Sequence, residues 1–193
     1  MNDQPARTLT TQDRLILALA TAGGAGYAPK APGTFGSVVG CALFLLYIRL
    51  NFASLVLFLA GVLLLSVLGV WVSDKAGQLF ECTDDGRIVI DEVAGQLLTL
   101  SPLLLFDRVP IDPLAGWGVP AFFFWVVTGF VLFRLFDIWK PGFVGLAERS
   151  FPGGAGVMMD DLVAGVFGAL ILEIMLWGAQ IAELPFALAR TLG

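Results

Sequence analysis

Residues 52–73 read FASLVLFLAGVLLLSVLGVWVS, 22 positions without one charged side chain. A helix of that length is about 33 Å long, close to the hydrocarbon thickness of a bilayer. The run therefore predicts a membrane-crossing helix, and the rest of the chain is read around it. Four further apolar stretches are Gly36–Leu50, Glu92–Phe106, Val119–Trp139 and Asp161–Ala182. The Phe52–Ser73 and Val119–Trp139 stretches reach the roughly 20 residues that full spanning needs; the first and third are short. The expected fold is all-α: a polytopic membrane helix bundle with about five membrane-embedded helices, some short. Residues 1–22 are expected as a polar or amphipathic N-terminal segment, and 23–193 as a single membrane-embedded domain.

Composition agrees with this. Of the 193 residues, 58% are hydrophobic and only 14% charged, with a mean hydropathy of +0.86. A soluble domain carries about 25% charged residues. So much apolar surface cannot all be hidden inside one small globule. The opening MNDQPARTLTTQDR is polar, unlike a secretory signal peptide. A net charge of −5 disfavours nucleic acid as a partner. Cys41 and Cys82 are too few for a disulfide framework or a zinc site.

The five stretches imply a topology that the charges can check. With the N-terminus inside, the inner segments hold Arg7, Arg14, Lys30, Lys75, Arg87, Arg134, Lys140 and Arg149. The outer side holds Arg49, Arg108 and Arg190. That bias follows the positive-inside rule. The same order brings Lys30, Asp91, Glu92, Asp137, Lys140, Asp160 and Asp161 to one face.

Four motifs carry those charges. Residues 26–37, GYAPKAPGTFGS, form a stiff Gly/Pro loop before a helix. Lys30, Gly33 and the N–H groups near Thr34 could bind phosphate, with Thr34 or Ser37 capping the helix. Residues 88–96, IVIDEVAGQ, place Asp91 and Glu92 at the head of an apolar helix, where the helix dipole alone would favour them. In 133–141, FRLFDIWKP, Arg134, Asp137 and Lys140 lie three apart on one helical face, and Pro141 ends the helix. In 153–165, GGAGVMMDDLVAG, a glycine loop leads to Asp160 and Asp161; Asp160 could be an N-cap, leaving Asp161 for a cation. Glu173, alone inside the last stretch, reads as a packing residue.

Several hydrolytic chemistries drop out. Without histidine there is no Ser-His-Asp triad and no histidine phosphatase. Acids stand between Cys82 and Arg87, unlike a thiolate cradle. No Asp-x-Asp pair flanks an apolar strand. Carboxylates holding a hard cation, with basic groups holding phosphate, remain.

Together and in this order, the four motifs resemble the phosphatidylglycerophosphatase A family over about residues 23–175. The resemblance implies a Mg²⁺-dependent phosphatase in phospholipid synthesis. It would act on phosphatidylglycerophosphate at the cytoplasmic face of a bacterial inner (cytoplasmic) membrane, as a multi-pass protein among membrane lipid. The family's acids fall on Asp91, Glu92, Asp137, Asp160 and Asp161, and its basic partners on Arg134 and Lys140. The expected division of labour has Glu92, Asp137, Asp161 and Asp91 at the metal. Asp137, Asp160, Asp161 and Lys140 act in catalysis. Lys30, Gly33, Thr34, Arg134 and Lys140 bind phosphate. Two other readings are an ion-coupled transporter, which would spread its acids through the membrane depth, and a non-catalytic lipid-binding protein.

Overall fold

The computed structural model describes residues 9–50, 54–83, 85–105, 121–140 and 151–192, except the side chains of 121 and 183–192. The expected span ends at Phe52, Phe106 and Val119, and the loops 106–118 and 141–150, lie outside the described residues. Among the described residues every regular element is helical.

Helix α1, Thr11–Ala20, starts with a reciprocal cap: Asp13 N–H donates to Thr10 Oγ1, and Thr10 N–H donates to Asp13 Oδ2. Its Ile16, Leu17 and Ala20 are buried against Val72 and Ala76 of a later helix, while Leu15 stays exposed. A 3₁₀ segment, Ala22–Tyr27, leads to α2, Pro32–Arg49. Pro32 occupies the first turn, where its missing N–H costs nothing. The expected cap by Thr34 or Ser37 does not form, because both lie inside the helix. The Ser37 hydroxyl instead donates to Gly33 O at 2.9 Å.

Helix α3 runs Leu55–Phe80, past the expected end at Ser73. At about 39 Å it exceeds the bilayer core. The charged residues Asp74 and Lys75 lie inside the helix, which continues to Phe80 with Ala76 and Leu79 packed against α1. Helix α4 is Ile90–Leu100, followed by a 3₁₀ turn, Ser101–Leu104. Helix α5 spans Ala121–Trp139 and α6 spans Gly154–Leu192. The last helix thus begins before Asp160, which corrects the expectation of Asp160 as its N-cap. Gly154 N–H donates to Asp74 Oδ1 at 2.5 Å, so the cap comes from α3.

Among the described residues four helices are long and apolar enough to cross a membrane: α2, α3, Phe122–Trp139 of α5 and Gly154–Ala182 of α6. Only 22–28% of their apolar windows is buried inside the protein, so most of that surface suits lipid. Helix α4, about 16 Å long, is the short member. It is also the central one, with nine of its eleven residues buried. It packs against α2, α3, α5 and α6.

Glycines make those contacts close. A Cβ at Gly165 would lie 2.6 Å from Gly95 O, and one at Gly95 would lie 2.6 Å from Asp161 O. Thr99 Oγ1 lies within reach of Gly95 O in its own helix (3.0 Å) and of Gly165 O across the crossing (3.2 Å). On the other flank, α2 presents Gly36 to Val89 and Gly40 to Gln96. Small residues at contacts are how helices pack where lipid removes the hydrophobic drive. Farther from the acids, Phe44, Phe58, Leu100, Leu103, Trp125 and Leu172 fill an apolar core.

Candidate active site

Consecutive residues on a helix point about 100° apart. The pair Asp91-Glu92 at the head of α4 therefore serves two neighbours. Asp91 shares the α6-facing side with Gly95 and Thr99. Glu92 faces α2, where a Cβ at Gly36 would lie 3.3 Å from Glu92 Cβ. Helix α6 brings Asp161 to the same place, so that one oxygen each of Asp91, Glu92 and Asp161 lie within 4.8 Å of one another.

These three acids stand at a cavity of about 310 Å³. Asp137 and Lys140 from the end of α5, and Asp160 from α6, also line it. Lys140 Nζ donates to Asp160 Oδ2 at 2.7 Å, and Asp160 Oδ1 accepts from Asp161 N–H at 3.0 Å. Lys140 has φ 45° and its N–H donates to Phe136 O, which closes α5 ahead of Pro141. Arg134 Nη1 pairs with Asp137 Oδ2 at 2.5 Å and reaches Ser37 Oγ at 3.4 Å.

The expected phosphate-binding residues are placed unevenly. Lys140 faces the cavity. Gly33 and Arg134 sit beside Glu92: a Cβ at Gly33 would overlap the Glu92 carboxylate and approach Arg134 Nη1 to 3.1 Å. Lys30 is exposed, Thr34 is half-buried, and neither lines the cavity. Glycines 86, 153 and 156 do line it, with Thr83. Gly86 is carried by a loop that Arg87 braces, donating to both Asp85 oxygens at 2.7 Å and lying over the Phe80 ring. That guanidinium holds the Asp85 carboxyl below its usual range. Asp74, Ser37 and Gln96 were given no part by the sequence reading beyond a possible cap at Ser37. Only the last had a local signal, its spacing of four from Glu92.

The acids fit a divalent cation. Asp91 Oδ1, Glu92 Oε2 and Asp161 Oδ2 are buried and have no hydrogen-bond partner among the described residues. Desolvated carboxylates in such proximity repel unless a cation is shared. An all-oxygen donor set beside a basic side chain suits a hard ion and a phosphate oxygen.

The sequence model of phosphatidylglycerophosphatase A matches residues 18–176, which is most of the chain. The chain belongs to the phosphatidylglycerophosphatase A family. Within that family it is 35% identical to the phosphatidylglycerophosphatase A of Escherichia coli over 154 residues, covering 80% of this chain and 79% of the relative. It is 30% identical to the Haemophilus influenzae phosphatidylglycerophosphatase A over 160 residues, covering 82% and 88%. A Bacteroides thetaiotaomicron protein provisionally named a phosphatidylinositol-3-phosphatase is 34% identical over 165 residues, covering 84% and 94%. No solved structure matches the chain. The family match covers all four motifs and every acid at the cavity.

Proposed function

We propose that this chain hydrolyses phosphatidylglycerophosphate to phosphatidylglycerol and inorganic phosphate, with Mg²⁺ held by the acidic cluster, in phospholipid synthesis. The observation that carries it is the meeting of Asp91, Glu92 and Asp161 oxygens within 4.8 Å beside the Lys140 ammonium. Glu92, Asp161 and Asp91 would hold the ion, with Asp137 completing the set. The bound ion supplies Lewis-acid polarisation of the terminal phosphoryl group.

The protein's own groups do the rest. Lys140 neutralises phosphoryl oxygens as charge builds on them. Arg134 holds Asp137 in place and adds positive potential behind it. Asp160, freed from Lys140 when phosphate takes that ammonium, orients a water molecule and accepts its proton. The water oxygen bonds to phosphorus, the ester P–O bond breaks, the departing glycerol oxygen takes a proton from solvent at the open cavity, and Asp160 returns its own proton to solvent. Lys30, Gly33 and Thr34 would act at the approach, outside the cavity. Residues 23–193 would form the membrane-embedded catalytic unit, with 1–22 as its interfacial support. The excess of basic residues on the N-terminal side supports a cytoplasmic site in a bacterial inner membrane.

The test is phosphate release from phosphatidylglycerophosphate in mixed micelles by the purified chain. Mg²⁺ should sustain turnover and a chelator should abolish it. Equal release in both conditions removes the metal, and none in either removes the substrate. Phosphatidylinositol 3-phosphate, run in parallel, should be the poorer substrate.

A further inference from the structure

Gln96 is fully buried on α4, and neither its Nε2 nor its Oε1 has a hydrogen-bond partner among the described residues. An unmatched amide within a membrane bundle is costly, so its surroundings should contain the groups it serves. Gly40 of α2 makes room for it: a Cβ there would lie 2.9 Å from Gln96 Cβ and 3.0 Å from Cγ. Glu92 lies one turn earlier on α4, against Gly36 of the same α2 face. Side chains four apart on a helix are neighbours, and they lean towards the helix N-terminus. The Gln96 amide therefore extends back towards Glu92 and the cavity.

The other buried side-chain atoms without a partner among the described residues are Ser73 Oγ, Asp91 Oδ1, Glu92 Oε2, Arg134 Nε and Asp161 Oδ2, and of these residues Glu92 and Arg134 are the two that border the α2 glycines. Glu92 Oε2 can only accept while ionised, and Arg134 Nε can only donate. The Glu92 carboxylate and the Arg134 guanidinium both border Gly33. An amide supplies a donor and an acceptor, the one pair of functions that satisfies both. We propose that Gln96 is a positioning residue: with the cation bound, a turn of its amide would let Nε2 donate to Glu92 Oε2 and Oε1 accept from Arg134 Nε, two bonds that this structure does not yet make. It would tie the acid that holds the cation to the guanidinium behind the phosphate site, and so fix the Glu92 carboxylate. This rests on the metal-binding reading above.

Mn²⁺ binding to the full chain in detergent, followed by electron paramagnetic resonance, tests it without turnover. The wild type should bind Mn²⁺, and Gln96→Met, similar in length but without hydrogen bonds, should bind it about tenfold more weakly. Its metal-free melting temperature separates this from general loosening. Unchanged Mn²⁺ affinity per folded protein, with or without a lower melting temperature, overturns the proposal. A wild type that binds no Mn²⁺ overturns the metal reading and the proposal with it. Should Gln96→Met not fold, Gln96→Asn withdraws the amide by one methylene. It should also weaken Mn²⁺ binding severalfold, and wild-type affinity there overturns the idea equally.

Discussion

Gly165→Ala isolates the helix crossing that sets the acid spacing. An added Cβ would lie 2.6 Å from Gly95 O and 3.1 Å from Gly95 Cα, both backbone atoms of the opposing helix. Comfortable carbon contacts lie at about 3.5–4.0 Å, so α4 and α6 must part there by about 0.5–1 Å. Overpacking of that kind costs about 1–3 kcal/mol, and replacing glycine by alanine in a helix returns up to about 1 kcal/mol. A net loss of about 0–3 kcal/mol leaves a folded protein. Asp91 lies one turn from Gly95 and Asp161 one turn from Gly165, so the parting reaches the acids. A misplacement near 1 Å costs about a hundredfold in rate. Gly178→Ala is the control, since nothing lies within 4 Å of its added Cβ. It should gain up to about 1 kcal/mol and keep its activity. The assay is phosphate release from phosphatidylglycerophosphate, read beside thermal melts by tryptophan fluorescence. Wild-type turnover in Gly165→Ala would refute the argument. So would an equal loss in Gly178→Ala.

Asp161→Asn and Glu92→Gln should each lower phosphate release at least about a hundredfold at saturating Mg²⁺, since each removes a charge from the proposed ion; near-normal rates would return the lipid-binding reading to favour. Lys140→Met should lose a similar factor, and Lys140→Arg should recover only part of it, because a planar fork cannot replace a compact ammonium in the contact with Asp160. Asp74→Ala deletes the acceptor for Gly154 N–H and should destabilise the protein by about 1 kcal/mol, seen as a lower melting temperature. Glu81→Gly relieves a left-handed residue (φ 56°) at the end of α3 and should raise stability by up to about 1 kcal/mol, with turnover unchanged.

The apolar runs made the membrane class legible because lipid contact leaves a signature many residues long. The junctions of those runs with acids pointed to one face for the same reason. What stayed hidden was set by contacts distant in sequence. The start of α6 depends on Asp74, eighty residues from Gly154. The length of α3 depends on its packing against α1, which local polarity does not report. The phosphate loop looked complete in itself, with proline, glycine and lysine together, yet Lys30 is exposed and does not line the cavity. Local composition picked out the acids that meet at the cavity; which basic residues join them there required the crossing of α2, α4, α5 and α6.

The distribution of acids also weighs between turnover and transport. A carrier moves its ion across the bilayer, so its ligands should follow one another in depth. Here Asp91, Glu92, Asp137, Asp160 and Asp161 all border a single cavity at one end of the helices. Glu173 is three turns further along α6 and does not line that cavity. Beneath the acids α4 and α6 cross closely, where Thr99 Oγ1 of α4 donates to Gly165 O of α6 at 3.2 Å. Acids gathered at one end of the helices suit a reaction in which the lipid stays in its leaflet and only the head group enters. Glu173→Gln should therefore hydrolyse phosphatidylglycerophosphate at close to the wild-type rate. A hundredfold loss there, with folding intact, would bring back an ion path through the bundle.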